Sequence, residues 1–116
     1  PPETTDAFAP KVVRAGMGAH FRLPIHSGTW QQIEARCRGL DVLLADMGGA
    51  SCWETDLRSP LALIIGGEAE GASPEARRLA QGAIGIPMPG GSESLNAGSA
   101  GTVLLFEVVR QRRVKP

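Results

Sequence analysis

Three observations predict an α/β fold with a mainly parallel sheet and helices on both faces. Two short apolar runs, "LDVLLADM" at 40–47 and "LALII" at 61–65, have the length and composition of buried parallel strands. Helix-start signals alternate with these runs along the chain. Three of the predicted strand ends lead into glycine-bearing loops, "ADMGG", "IIGGEAEG" and "IPMPGGSES". In sheets of this kind, ligands bind just beyond the carboxyl ends of the strands.

Each element has its own local reason. Pro10 followed by "KVVRAGMGA" predicts a short helix weakened by glycines at its end, and "HFRLPI" at 20–25 predicts a short strand closed by Pro24. Ser27 or Thr29 caps a helix that runs to about Arg38, with Gly39 as its stop. After the strand at 40–47, Gly48 and Gly49 open a loop to Pro60, and the strand at 61–65 follows. Ser73 is an N-cap with Pro74 at the first helical position, and that helix ends near Gly82. A third strand spans 83–86, and a final helix runs from about Leu95 to Arg112. Its glycines, Gly98 and Gly101, weaken it and predict close approach of another backbone. Its apolar run "VLLFEVV" predicts burial against both the sheet and a second copy.

Composition narrows the function classes. The chain has 116 residues, 42% of them hydrophobic, which suits one compact domain or a large part of one. Twelve basic residues balance twelve acidic ones, so no global field draws in nucleic acid or membrane. Ten of the basic residues are Arg, a side chain suited to bidentate phosphate contacts. Cys37 and Cys52 form no metal-ligand pattern, so no metal is expected, and their sparse use suggests a reducing, cytoplasmic setting. No apolar run approaches the roughly 20 residues that span a bilayer, so no membrane partner is expected. The opening "PPETTDAFAP" reads as a linker or a boundary.

The loops carry neither a Walker A pattern nor a G-x-G-x-x-G fingerprint, which argues against nucleotide phosphates. They offer backbone N–H and C=O groups with few side chains in the way, which suits a planar heterocycle and a neutral or zwitterionic ligand. Taken alone, Glu68 reads equally as a surface carboxylate, and Ser94 and Asn96 read equally as helix caps. A hydrolase built from Ser94, His26 and Glu68 lacks the G-x-S-x-G elbow that activates such a serine.

Together these stretches closely resemble the SpoU (TrmH-like) family of RNA 2′-O-ribose methyltransferases. Its motif "hhLGxExxG" has its counterpart in "LIIGGEAEG", and "IPMxGxxxSLNVSxA" in "IPMPGGSESLNAGSAG". Gly66 and Ile86 are twenty positions apart and Leu95 lies nine further on, an order and separation that also agree. "APKVVRAGMGA" is similar to a third frequent stretch, so the resemblance covers nearly the whole chain.

The resemblance implies a C-terminal part threaded into a deep trefoil knot, an exception to the rule that chains avoid knots. It implies S-adenosylmethionine as cofactor, with Gly66, Ile86 and Leu95 at donor-binding positions and Met88 and the loop after Ala45 beside them. It places Glu68, Ser94 and Asn96 at the polar positions of the active site and offers Arg14 to RNA phosphate, a residue that reads equally as a surface ion pair. Ribosomal or transfer RNA is the implied partner, with a homodimer through the final helix. The family's first motif, "NxGxxxR", has no match in these residues and would precede Pro1; Gly67 stands where many members carry Asn, and Gly98 where they carry Val. These departures leave a second expectation, a non-catalytic donor-binding or dimerisation module.

Overall fold

A computed structural model describes residues 9, 23–66, 72–89 and 96–113. The chain divides into two compact units, Pro1–Arg36 and Cys37–Pro116. The helix expected after Pro10, and the part of the 20–25 strand before Leu23, lie outside the described residues. From Leu23 to Ile25 the backbone forms no strand, which corrects that expectation. Pro24 has no N–H to give a ladder, and Leu23 is exposed, so neither hydrogen bonding nor burial favours pairing there.

Helix α1, Trp30–Arg36, belongs to the first unit. Thr29 Oγ1 accepts the Gln32 N–H at 3.2 Å while Gln32 Oε1 accepts the Thr29 N–H at 2.9 Å. This reciprocal capping box selects Thr29 over Ser27 as the start. Gly39, at φ 80°, follows the helix end in the left-handed conformation that glycine adopts freely.

The second unit contains β1 (Asp41–Ser51), β2 (Leu61–Ile64), α2 (Pro74–Leu79), β3 (Gly82–Gly85) and α3 (Ala97–Arg113). The three strands form one parallel sheet in the order β2-β1-β3, as the apolar runs predict. Central β1 is flanked on both sides, and its Val42 and Leu44 are buried. Ser73 accepts the Ala76 N–H at 3.2 Å and Pro74 opens α2, as expected, but the helix ends at Leu79, where Ala80 turns extended.

One boundary is corrected with a structural consequence. β1 does not stop before Gly48 but runs to Ser51. Its register against β3 shifts, so that Ala45 and Ala50 both face Ile84. The intervening residues leave the ladder and return to it, a large bulge of the kind that re-aims a strand end.

The core beneath this bulge comprises Cys52, Leu57, Ile84, Leu104 and Val108, with Leu43, Leu61, Leu63 and Ile86 packed against it. Burying a side chain such as Leu57 or Leu104 contributes about 1.5–3 kcal/mol. The buried positions of α3 are Leu104, Glu107, Val108 and Gln111, a single stripe at helical spacing. Val103, Leu105, Phe106 and Val109 of the same apolar run are exposed. Among the described residues, no helix is long and apolar enough to cross a membrane.

Candidate functional site

The bulge in β1 depends on two glycines. A Cβ on Gly49 would stand 2.6 Å from the carbonyl carbon of Ala83, and one on Gly85 would stand 2.8 Å from the Asp46 oxygen. Only backbones without side chains pass at this range. At the α3 glycines the described neighbours are looser: a Cβ on Gly101 would meet atoms of Ile65 at an ordinary 3.6 Å.

With the bulge lifted away, a cavity of about 450 Å³ opens at the carboxyl ends of the strands. Small-molecule sites span roughly 300–1,000 Å³. The three glycine-bearing segments named from the sequence meet here, through Ala45 and Asp46, Ile65 and Gly66, and Ile86 and Met88. The first turn of α3 closes the wall with Asn96, Ala97 and Ala100, and Leu104 and Ile84 join the cavity to the core.

Five of the sequence-predicted site residues therefore share one cavity: Ala45, Gly66, Ile86, Met88 and Asn96. Arg14, Glu68, Ser94 and Leu95 lie outside the described residues, as does Gly67. His26 belongs to the first unit. Asn96 has a defined role in the backbone, since its Oδ1 accepts the Ser99 N–H at 2.8 Å as the cap of α3. The N–H must meet an acceptor, which orients the amide oxygen toward the helix.

Sequence reasoning did not single out Asp46 or Arg77, which both line the cavity. Arg77 Nη1 stands 4.0 Å from Asp46 Oδ2, and the second Asp46 oxygen accepts the Gly48 N–H at 3.3 Å. The available signal was a charged residue inside the otherwise apolar strand-end sequence "LLADM".

A second missed feature joins α3 to the segment after β1. Gln111 Oε1 accepts the Leu57 N–H at 2.7 Å, and its Nε2 donates to Thr55 O at 2.9 Å, to Cys52 O at 3.2 Å and to Glu107 Oε2 at 2.9 Å. Glu107 also takes two hydrogen bonds from Arg110, at 2.7 and 2.9 Å. Those bonds from Arg110 hold its carboxyl well below the ordinary 4.5, at about 2, against the upward push of burial and with added help from Gln111. The network ties the segment after β1 to α3. Burial, followed by the Glu107 charge, pushes the Cys52 thiol up, which leaves it a poor nucleophile.

Comparison with known proteins agrees with this geometry. Residues 1–106 match the SpoU rRNA Methylase family. The chain is 35% identical over 116 residues to a 23S rRNA (uridine(2479)-2′-O)-methyltransferase of Streptomyces viridochromogenes, covering 92% of this chain and 40% of that protein. It is 48% identical over 69 residues to the 23S rRNA (guanosine-2′-O-)-methyltransferase RlmB of Xanthomonas axonopodis pv. citri, covering 60% of this chain and 28% of the relative. Among solved structures, the SpoU methyltransferase AviRb of S. viridochromogenes in complex with AdoMet superimposes with a TM-score of 0.81 at 35% identity, over 94% of this chain and 47% of that one. An AdoMet-bound rRNA methyltransferase from Sinorhizobium meliloti gives a TM-score of 0.81 at 33% identity, over 97% and 44%. The chain thus spans less than half the length of these relatives. With its parallel sheet, its strand-end cavity and this match over most of its length, the chain belongs to the SpoU rRNA methylase family.

Proposed function

We propose that the protein transfers a methyl group from S-adenosylmethionine to a ribose 2′-hydroxyl of ribosomal or transfer RNA. The observation that carries this reading is the convergence of three strand-end segments and the start of α3 on one cavity. Two solved relatives hold AdoMet, and relatives named for 23S rRNA support RNA as substrate and the cytoplasm as the place of action.

The residues present fit such a donor. Gly85 keeps its own position clear of a side chain beside the Asp46 and Met47 carbonyls, and Ile65, Ile86 and Met88 supply apolar wall for a planar ring. We assign Ala45, Gly66, Ile86, Met88 and Leu95 to the donor, and Glu68, Ser94 and Asn96 to the reacting hydroxyl. Arg14 is assigned to RNA phosphate. The roles of Arg14, Glu68, Ser94 and Leu95 rest on the motifs alone.

When bound, S-adenosylmethionine supplies an electrophilic methyl group on a positively charged sulfur. The chain's own work is alignment and handling of one proton. A 2′-hydroxyl is a weak nucleophile until its proton leaves, and displacement at a methyl carbon needs an in-line approach. Asn96, whose Oδ1 is held by the α3 cap, presents its amide nitrogen to orient the hydroxyl oxygen. Ser94 shares that orientation, and Glu68 steadies the group that takes the proton.

The finer architecture belongs to the same proposal: residues 1–116 as one methyltransferase domain, helices on both sheet faces, and a knotted C-terminal threading. A homodimer through α3 covers Leu105, Phe106 and Val109, which otherwise lie exposed on one stretch of helix.

The test is methyl transfer by the full-length protein from labelled S-adenosylmethionine to ribosomal or transfer RNA. The proposal expects label in alkali-resistant dinucleotides, the mark of 2′-O-methylation. Donor binding with no transfer to either RNA contradicts it and favours a donor-binding module instead.

A further inference from the structure

Among the described residues lining the cavity, Asp46 and Arg77 carry the formal charges. They come from different elements, the β1 bulge and α2, and each is fixed by its own backbone context. The Gly48 N–H holds one Asp46 oxygen, and the Ser73 cap with Pro74 sets the start of the helix that carries Arg77. Their mutual contact is loose, with Nη1 and Oδ2 at 4.0 Å and both side chains about half exposed. An ion pair with a purely structural task looks different in this molecule: Arg110 meets buried Glu107 twice, at 2.7 and 2.9 Å. A pair held open at the wall of a cavity exchanges its partner readily, because little holds it closed.

An anion and a cation side by side complement a zwitterion. The donor assigned to this cavity carries an α-carboxylate and an α-ammonium at its amino-acid end, and its adenosine end carries neither. Resting on the donor-site reading, we propose that Arg77 receives the α-carboxylate and Asp46 accepts hydrogen bonds from the α-ammonium of S-adenosylmethionine. The planar guanidinium suits a carboxylate in two-point contact. Apart from Asn96, which is neutral and assigned to the hydroxyl, the remaining described wall is apolar or backbone and leaves the adenosine end to the strand-end loops. The ion pair is therefore a latch for the amino-acid end, opened when that end enters.

Two ligands separate this inference from the reading beneath it. S-adenosylhomocysteine keeps the amino-acid end, and 5′-methylthioadenosine lacks it. Calorimetry on the full-length protein compares wild type with Arg77→Gln and Asp46→Asn. Both substitutions are on half-exposed side chains, and the second keeps an acceptor for the Gly48 N–H. Thermal unfolding of each variant establishes that it is folded. We expect each variant to weaken S-adenosylhomocysteine about tenfold or more. Binding of 5′-methylthioadenosine should change less than about twofold. Unchanged S-adenosylhomocysteine affinity in both folded variants overturns the latch, and so does an equal loss for both ligands. If wild type binds neither ligand, the donor-site reading itself falls, and the latch with it.

Discussion

Gly49 passes so close to Ala83 that a Cβ would stand 2.6 Å from the Ala83 carbonyl carbon. The neighbour is backbone in a ladder, so it has no flexible end to move aside. Gly49→Ala must therefore push the returning arm of the bulge away from β3, at a cost of about 1–3 kcal/mol. Urea unfolding measures this. Because the bulge forms one wall of the cavity, affinity for S-adenosylhomocysteine should fall in the same variant. Gly48→Ala is the control, since a Cβ there meets no described atom within 4 Å.

Gln111 satisfies the Leu57 N–H together with the Thr55 and Cys52 carbonyls. Gln111→Leu keeps the volume roughly constant but leaves these groups, on buried Leu57 and Cys52 and half-buried Thr55, without that partner. Each unsatisfied group costs about 1–3 kcal/mol, so the variant should lose stability despite being more hydrophobic. Chemical denaturation checks the sign.

Glu107 sets an acid limit. Its carboxyl is lowered in the folded protein from the ordinary 4.5 to about 2, so between those values the unfolded chain binds more protons. Its contribution to stability is complete above pH 4.5 and is lost as pH falls toward 2. Wild type should therefore destabilise more steeply than Glu107→Gln over that window. Equal slopes in thermal unfolding would contradict this.

These features show where the sequence was legible. Ser73-Pro74 and the glycine-terminated strands announce themselves locally, because caps and tight turns depend on one or two residue types. The convergence of the three loops followed from parallel topology alone. The bulge was not legible: Gly48-Gly49 reads as the start of a loop, and only the facing Gly85 turns it into a strand that leaves and returns. Nothing local marks Gln111 or Glu107, because the groups Gln111 satisfies lie on a segment more than fifty positions away. Asp46 and Arg77 are ordinary charges until the fold sets them on one cavity.

Asn96 combines a cap with the role assigned to it at the hydroxyl. Asn96→Asp keeps the acceptor for the Ser99 N–H and removes the amide donor. Stability should change little, while methyl transfer by the full-length protein should fall about a hundredfold. Full activity in this variant would remove Asn96 from the reaction.

Phe106 is 73% exposed on α3, beside Leu105 and Val109. Phe106→Glu should preserve the fold, since the side chain adds little to the core and Glu suits a helix. If α3 forms the dimer interface, sedimentation should show wild type as a dimer and the variant shifted to monomer.

The reading as a whole turns on the methyl donor occupying the cavity between the β1 bulge, Gly66, Ile86 and Asn96. A crystal structure of the full-length protein with S-adenosylhomocysteine tests it most directly. Ligand density is expected within Ala45, Gly66, Ile86 and Met88, against the start of α3. Ligand bound elsewhere, or this cavity empty at saturating ligand, would contradict it.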